Sequence, residues 1–283
     1  MQQDDYTIRT MARPELDLAL AWAAAEGWNP GVHDAQCFHA ADPNGFLIGL
    51  LGDQPAAVIS VVRYGSRFGF LGLYIVQPAF RGRGYGLRLW DAGMARLAGR
   101  SIGLDGVVAQ QGNYRRSGFQ LAYRNIRYQG AAGGGAAPDA AVVPLGAVPL
   151  AAVGAYDEAV FGAERIPFLQ AWVQQNDACA LGVLRHGALA GYGVVRRCRV
   201  GSKIGPLFAD DAHTAERLFL ALKAHAAPDG PVVIDVPEPN AFALAMARRH
   251  GLTAAFETAR MYAGECPPRS IERVFGVTSF ELG

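Results

Sequence analysis

An apolar strand that runs into a proline, then a loop of alternating glycines, then an amphipathic helix restricts this chain more than anything else in it. The segment reads Leu73-Tyr74-Ile75-Val76-Gln77-Pro78-Ala79-Phe80-Arg81-Gly82-Arg83-Gly84-Tyr85-Gly86-Leu87. Pro78 has no N–H for a strand ladder and closes the strand. The glycines permit positive φ and a close backbone approach. A helix from Leu87 to about Ala98 follows, with Leu87, Trp90, Met94 and Leu97 at helical spacing. The start of such a helix points unpaired N–H groups outward, which makes an anion site. Arg81 and Arg83 add charge there, and two arginines on the positive end of a helix dipole call for an anion. The loop has no G-x-x-x-x-G-K-[ST] pattern, and Leu87 stands where a dinucleotide fingerprint needs its third glycine.

The rest of the chain organises around this unit. Residues 130–138 carry four glycines and no large apolar side chain, which is linker composition. The expected division is a domain over residues 1–130, a Gly/Ala-rich linker over 131–140 and a second domain over 141–283. The order of elements repeats across it. In the first half Phe46 to Leu51, Ala57 to Tyr64 and Gly69 to Val76 read as strands, followed by the helix and a short strand around Leu104 to Val108. In the second half Ala178 to Leu184, Ala188 to Val195 and Lys203 to Ala209 read as strands. Ala212 to Ala226 is a helix, Val232 to Val236 a strand and Asn240 to His250 a helix. Helical material precedes each hairpin, at Pro14 to Glu26 and at Leu150 to Phe161 and Pro167 to Gln175. The pattern predicts a duplicated α/β (α+β mixed-sheet) unit, two tandem domains each with a sheet flanked by helices.

Composition sets the limits. Hydrophobic residues make up 51% and charged residues 18%, enough for a core. The halves carry 13 basic and 10 acidic, and 13 basic and 15 acidic, side chains, for a net charge of +1. That balance argues against nucleic acid or a membrane surface as partner. No run approaches 18 apolar residues and the N-terminus lacks an apolar leader core, so a cytoplasmic location is expected. Cys37, Cys179, Cys198 and Cys266 form no C-x-x-C pair and are expected as buried free thiols, with no metal site.

The loop resembles the signature of the GNAT N-acetyltransferase superfamily, [RQ]-x-x-G-x-[GA], as Arg81-x-x-Gly84-x-Gly86, with the family-like Val76-x-Pro78 before it. Tyr114-x-x-x-Gly118-Phe119 resembles that family's Y-x-x-x-G-F segment. The likeness spans roughly Tyr6 to Gln129. It implies acetyl-CoA as co-substrate, its pyrophosphate held by Arg81, Gly82, Arg83, Gly84, Tyr85 and Gly86. It also implies that Tyr74, Ile75 and Val76 offer backbone groups to the pantetheine arm and the thioester oxygen, and that Tyr114 protonates the leaving thiolate. The sequence departs from the family where an asparagine is usual eleven residues before Gly118. Val107 stands there and Asn113 sits beside the tyrosine, so Asn113 is carried as a coenzyme contact on a short or irregular helix. The second half keeps Asn240 and Ala243 before Gly251 but has Asp210-Asp211 in place of the glycine loop and Ala247 at the tyrosine position. It reads as a degenerate copy that does not bind the coenzyme productively and instead shapes the cleft or the assembly.

Acetylating an amine needs a neutral nitrogen. Glu26-Gly27-Trp28-Asn29-Pro30-Gly31-Val32-His33-Asp34 clusters the groups that would select one: Glu26 or Asp34 to hold and relay the ammonium proton, Trp28 and Asn29 against the substrate. The same stretch also reads as a helix C-cap and turn. The expected function is acetyl transfer to a small-molecule amine, a protein lysine or an amino terminus. A non-catalytic acyl-CoA-binding module and a different acyl donor are the alternatives, and a homodimer is compatible with the family.

Overall fold

The computed structural model describes residues 5–134, 139–267 and 270–283. Residues 135–138 of the expected linker, and residues 1–4, lie outside the described residues. The first half contains strand β1 (Tyr6–Thr10), helices α1 (Glu15–Ala25) and α2 (Asp34–Ala41), and strands β2 (Phe46–Leu51), β3 (Gln54–Tyr64) and β4 (Phe68–Val76). Helix α3 (Tyr85–Arg96), β5 (Ser101–Val107), the short α4 (Gln111–Arg116) and β6 (Gln120–Ala131) complete it. The second half repeats the order with β7 (Val142–Pro144), α5 (Leu150–Phe161), α6 (Ile166–Val173), β8 (Ala178–Arg185), β9 (Ala188–Arg197) and β10 (Ser202–Ala209). Helix α7 (Ala212–Ala224), β11 (Pro231–Pro237), α8 (Ala241–Arg249), β12 (Thr253–Ala263) and a terminal β13 (Val274–Gly276) follow.

The local expectations sit close to these bounds. Helix α3 starts two residues before Leu87, because left-handed Gly84 is its N-cap and places Tyr85 and Gly86 inside the first turn. The larger difference is in how the halves join. Among the described residues thirteen strands form one sheet in the order β1-β2-β3-β4-β5-β12-β6-β11-β10-β9-β8-β7, with β13 beside β10. Two strands cross over. β12, from the second half, lies between β5 and β6, and β6, from the first half, lies between β12 and β11. The exchange is reciprocal: each half's last long strand borders the other half's fifth-position strand. The expected boundary therefore falls between β6 and β7 along the chain, but in space the halves share strands.

Pairing is parallel at β4–β5 and β10–β11 and antiparallel elsewhere. Each parallel pair is bridged by a helix crossover, α3 or α7, as parallel strands require. On one face α1, α2, α5 and α6 build a single core with strands of both halves, including Leu16, Phe38, Phe70, Val160, Trp172 and Phe208. On the other face α3 covers first-half strands, and α7 and α8 cover second-half strands. Buried ion pairs link the halves: Arg127–Asp235 at 2.7 Å, Arg196–Asp34 at 2.8 Å and Arg260–Asp105 at 2.6 Å. The cysteines are free; Cys37 and Cys198 are buried, but Cys179 is half-buried and Cys266 is exposed in the turn after β12, a correction to the uniform burial expected.

Candidate active site

The parallel contact between β4 and β5 covers Phe68–Leu71 against Ser101–Leu104 and then stops. Beyond Leu71 the register of β4 against β3 shifts, and Leu73 takes a left-handed φ of 46°. A leucine there carries strain of order 1 kcal/mol. The bulge turns β4 away from β5 and opens a cavity of about 830 Å³ between them. Its wall is the last turn of β4, the ends of β5 and α4, and, from the second half, Phe256, Thr258, Phe280 and Glu281.

The glycine loop stands at the mouth. Gly82 and Gly84 have φ of 75° and 84°, and a Cβ on either would meet nothing within 4 Å, so the space above the loop is open. Gly86 is required for a different reason: its Cβ would lie 2.7 Å from the Tyr74 hydroxyl. Helix α3 has no side-chain cap, which leaves its first-turn amides for a ligand. Arg81 donates from Nε to the Val76 carbonyl at 2.8 Å and pairs with Glu26 at 2.5 Å. Arg83 is exposed. The side chain of Tyr85 points inward, stacked on Tyr6 with ring centroids 4.7 Å apart, so only its backbone is available to the loop.

Apart from Gly82, Arg83, Gly84, Tyr85 and Gly86 of the loop, which lie outside the cavity lining, the sequence-predicted residues separate into two groups. Tyr74, Ile75, Val76, Arg81, Asn113, Tyr114, Glu26 and Trp28 all line the cavity. Asn113 does so with its amide engaged by Gln110 and Arg116. Tyr114 stacks on Trp90 at 5.7 Å, and its hydroxyl has no hydrogen-bond partner among the described residues. Burial pushes the phenols of Tyr114 and Tyr74 up to about 12, so both stay protonated near neutrality. Asp34 and Asn29 are elsewhere. Asp34 is fully buried at the start of α2, bound by Arg196 and by the Gly31 amide at 2.8 Å. Asn29 exchanges two hydrogen bonds with Val200 of the second half, at 2.8 and 3.0 Å. Both serve the junction of the halves.

Sequence reading missed Phe256, Phe280 and Glu281. For Phe280 and Glu281 the missed signal was the run Val274-Phe-Gly-Val-Thr-Ser-Phe-Glu-Leu-Gly283, mostly apolar with a single charge; Phe256 lies outside it. Phe256 and Phe280 are also faced by the Arg127 guanidinium, 5.6 and 4.9 Å from their centroids.

The second half has the corresponding gap, and the chain fills it. β10 pairs with β11 over Ser202–Ile204, and then Leu207 and Phe208 pair with β13. The Val277 amide continues the insertion by donating to the Asp235 carbonyl at 2.8 Å. The N-terminus of α7 is likewise occupied, by its own Asp211, which accepts from the Thr214 amide at 2.8 Å and from Arg185 at 2.5 Å. Partial burial opposes ionisation of Asp211, but the Thr214 amide and Arg185 outweigh it and bring the carboxyl down to about 2. Replacing Asp211 with alanine should therefore cost about 1 kcal/mol at pH 7. Because the folded-state pKa is depressed, that difference should vanish as pH falls from about 4 toward 2, which denaturant titration across pH can follow. Among the described residues no three His, Cys, Asp or Glu side chains cluster as a metal site, and no helix is long and apolar enough to cross a membrane.

Comparison with known proteins bears on the family and the fold. Residues 11–119 match the acetyltransferase (GNAT) family, and residues 153–276 match an acetyltransferase (GNAT) domain. Holothin acyltransferase of Pseudoalteromonas sp. (strain SANK 73390) is 30% identical over 283 residues, 100% of this chain and 96% of that protein. Among solved structures, a proposed acetyltransferase from Pyrococcus horikoshii superposes with a TM-score of 0.85 at 23% identity, covering 100% of this chain and 98% of its own. A tandem GNAT protein from the clavulanic acid biosynthesis pathway gives 0.61 at 15% identity, covering 92% and 99%. At those identities the two structures speak for the fold.

Proposed function

This chain belongs to the GNAT acetyltransferase family and is an acyltransferase, and from that premise we propose that it moves an acetyl group from acetyl-CoA to the nitrogen of a primary amine in a ternary complex. The observation that carries the reading is the contrast between the halves. The first-half loop presents the uncapped amides of α3 under open space at Gly82 and Gly84, whereas the equivalent helix start of the second half is closed by Asp211. Uncapped amides beside Arg81 and Arg83 suit a diphosphate. Acetyl-CoA supplies the activated acyl group. The chain supplies the rest: the splayed end of β4 lays its backbone along the pantetheine arm, and an N–H near Ile75 or Val76 meets the thioester oxygen as charge builds there. Tyr114 holds the proton that the departing thiolate takes. Trp28, Phe256 and Phe280 favour an acceptor with an apolar or aromatic body, and a walled cavity of this kind suits a small molecule better than a protein side chain on a folded surface.

The relative's name, acyltransferase, also keeps open a larger acyl group, for which Leu71, Leu73 and Leu104 offer apolar wall. A series of acyl-CoA chain lengths, compared by kcat/KM, orders these donors. The coenzyme reading itself is tested by charge reversal. Arg81→Glu should weaken acetyl-CoA binding at least ~10-fold in calorimetry, because it removes a charged phosphate partner and sets two carboxylates, its own and that of Glu26, beside the diphosphate. Unchanged affinity would remove the loop from the account.

A further inference from the structure

Three acidic residues are among those that line the cavity: Glu26, Asp105 and Glu281. Two are committed to arginines. Glu26 pairs with Arg81, and Asp105 is held by Nη2 and Nε of Arg260 at 2.6 and 2.9 Å and by the Asn125 amide at 2.7 Å. Both are already engaged by fixed cationic donors rather than left for a ligand. Glu281 differs. It is 3% exposed, and its carboxylate has no hydrogen-bond or ion-pair partner among the described residues.

Its position is nonetheless fixed by the backbone around it. Ser60 Oγ donates to the Glu281 carbonyl at 3.3 Å, the Tyr64 hydroxyl donates to the Leu282 carbonyl at 2.9 Å, and the Leu282 amide donates to Ser279 Oγ at 3.1 Å. A Cβ on Gly72 would stand 2.2 Å from the Glu281 carbonyl oxygen, so β4 has glycine where the segment crosses it. The C-terminal segment thus fills the second half's gap with β13 and then brings Glu281 to the first half's cavity, which Trp28, Leu73, Phe256 and Phe280 also line.

We infer that Glu281, carried into the first half's cavity by the C-terminal segment of the second, is the catalytic residue that takes the proton from the acceptor ammonium. This rests on the amine-acetylation reading above. Burial raises the Glu281 carboxyl above the usual range, against the pull of Lys203 on β10, Arg127 on β6 and Arg196 on β9 and together with the push of Asp34 on α2. A carboxyl with raised proton affinity suits the task. In the step, the ammonium gives one proton to Glu281. The neutral nitrogen forms the C–N bond as the C–S bond breaks, and the sulfur takes the proton of the Tyr114 hydroxyl. The nitrogen's second proton restores Tyr114, and Glu281 releases its proton to water. Ammonium and thioester thereby become amide, thiol and one free proton.

The test compares Glu281→Gln and Glu281→Asp with the wild type, using acetyl-CoA and two sets of acceptors scored by thiol release. Benzylamine, phenethylamine, tyramine and tryptamine are protonated at pH 7; aniline and p-anisidine are already neutral. Glu281→Gln is expected to lose about 100-fold in kcat on the first set and little on the second, with acetyl-CoA affinity and melting temperature unchanged. Its deficit should shrink as pH rises and free amine accumulates, and Glu281→Asp should recover part of the rate. An equal loss on both sets, or a loss that follows coenzyme affinity or melting temperature, would make Glu281 structural and overturn the inference, as would full activity of Glu281→Gln. A wild type that binds no acetyl-CoA would strike the coenzyme reading instead, a result calorimetry separates from all of these.

Discussion

Replacing Tyr114 with phenylalanine should lower acetyl-transfer turnover by ~10²–10³-fold while leaving acetyl-CoA affinity within about twofold. The change removes one oxygen. The ring remains stacked on Trp90 at 5.7 Å and remains against Gly106, where a Cβ would come within 2.3 Å of its Cε2, so the phenylalanine ring has the same seat. No described residue hydrogen-bonds to the hydroxyl, so its loss orphans no partner and the fold is spared. In the proposed mechanism what disappears is the proton donor, a phenol protonated at neutral pH whose pKa burial raises further, to about 12. Stopped-flow measurement of thiol release with saturating coenzyme isolates this step. A parallel fall in coenzyme affinity, or turnover near the wild-type value, would place Tyr114 among the packing residues.

The first-half loop was legible in the sequence because its chemistry is local. Pro78, the three glycines and the helix spacing after them lie within a few turns of chain, and each has a conformational reason to be there. The same holds for the hairpins β2–β3 and β8–β9, whose turns at Gly52-Asp53 and His186-Gly187 are set by neighbouring residues. The exchange of β6 and β12 was not legible. Strand choice of partner depends on groups far apart in sequence, and these strands carry Arg124, Arg127 and Arg260, a residue type that is mostly exposed unless paired. Two of those arginines are instead buried against Asp235 and Asp105. Asp34 illustrates the reverse error. Near Trp28 in sequence it reads as a group to hold an ammonium and relay its proton, but its partner, Arg196, lies 162 positions away and takes it out of the cavity. Glu281 belongs to no local motif; its meaning comes from the path of the segment that carries it.

That path makes the C-terminal segment the most sensitive part of the second half, although it lies far in sequence from the glycine loop. Removing residues 277–283 should leave a chain without a cooperative thermal transition and without acetyl transfer. Val277, Phe280 and Leu282 are 6%, 8% and 0% exposed. Burying each is worth about 1.5–3 kcal/mol, so their loss is of order 5–8 kcal/mol, comparable with the whole stability of a typical domain. Polar losses add to this. Arg165, fully buried and paired with Asp157, loses the Thr278 hydroxyl at 2.9 Å, and Ser60 and Tyr64 lose the carbonyls they donate to. These losses fall on both halves, because the core beneath α1, α2, α5 and α6 is common to them and includes Leu282. Two self-contained domains would behave differently: the cut would disable the second and leave the first folded and able to bind coenzyme. Calorimetric melting of the truncated chain, with acetyl-CoA titrated in the same samples, separates the cases, and a sharp transition within ~2 °C of the full chain would contradict the shared-core account.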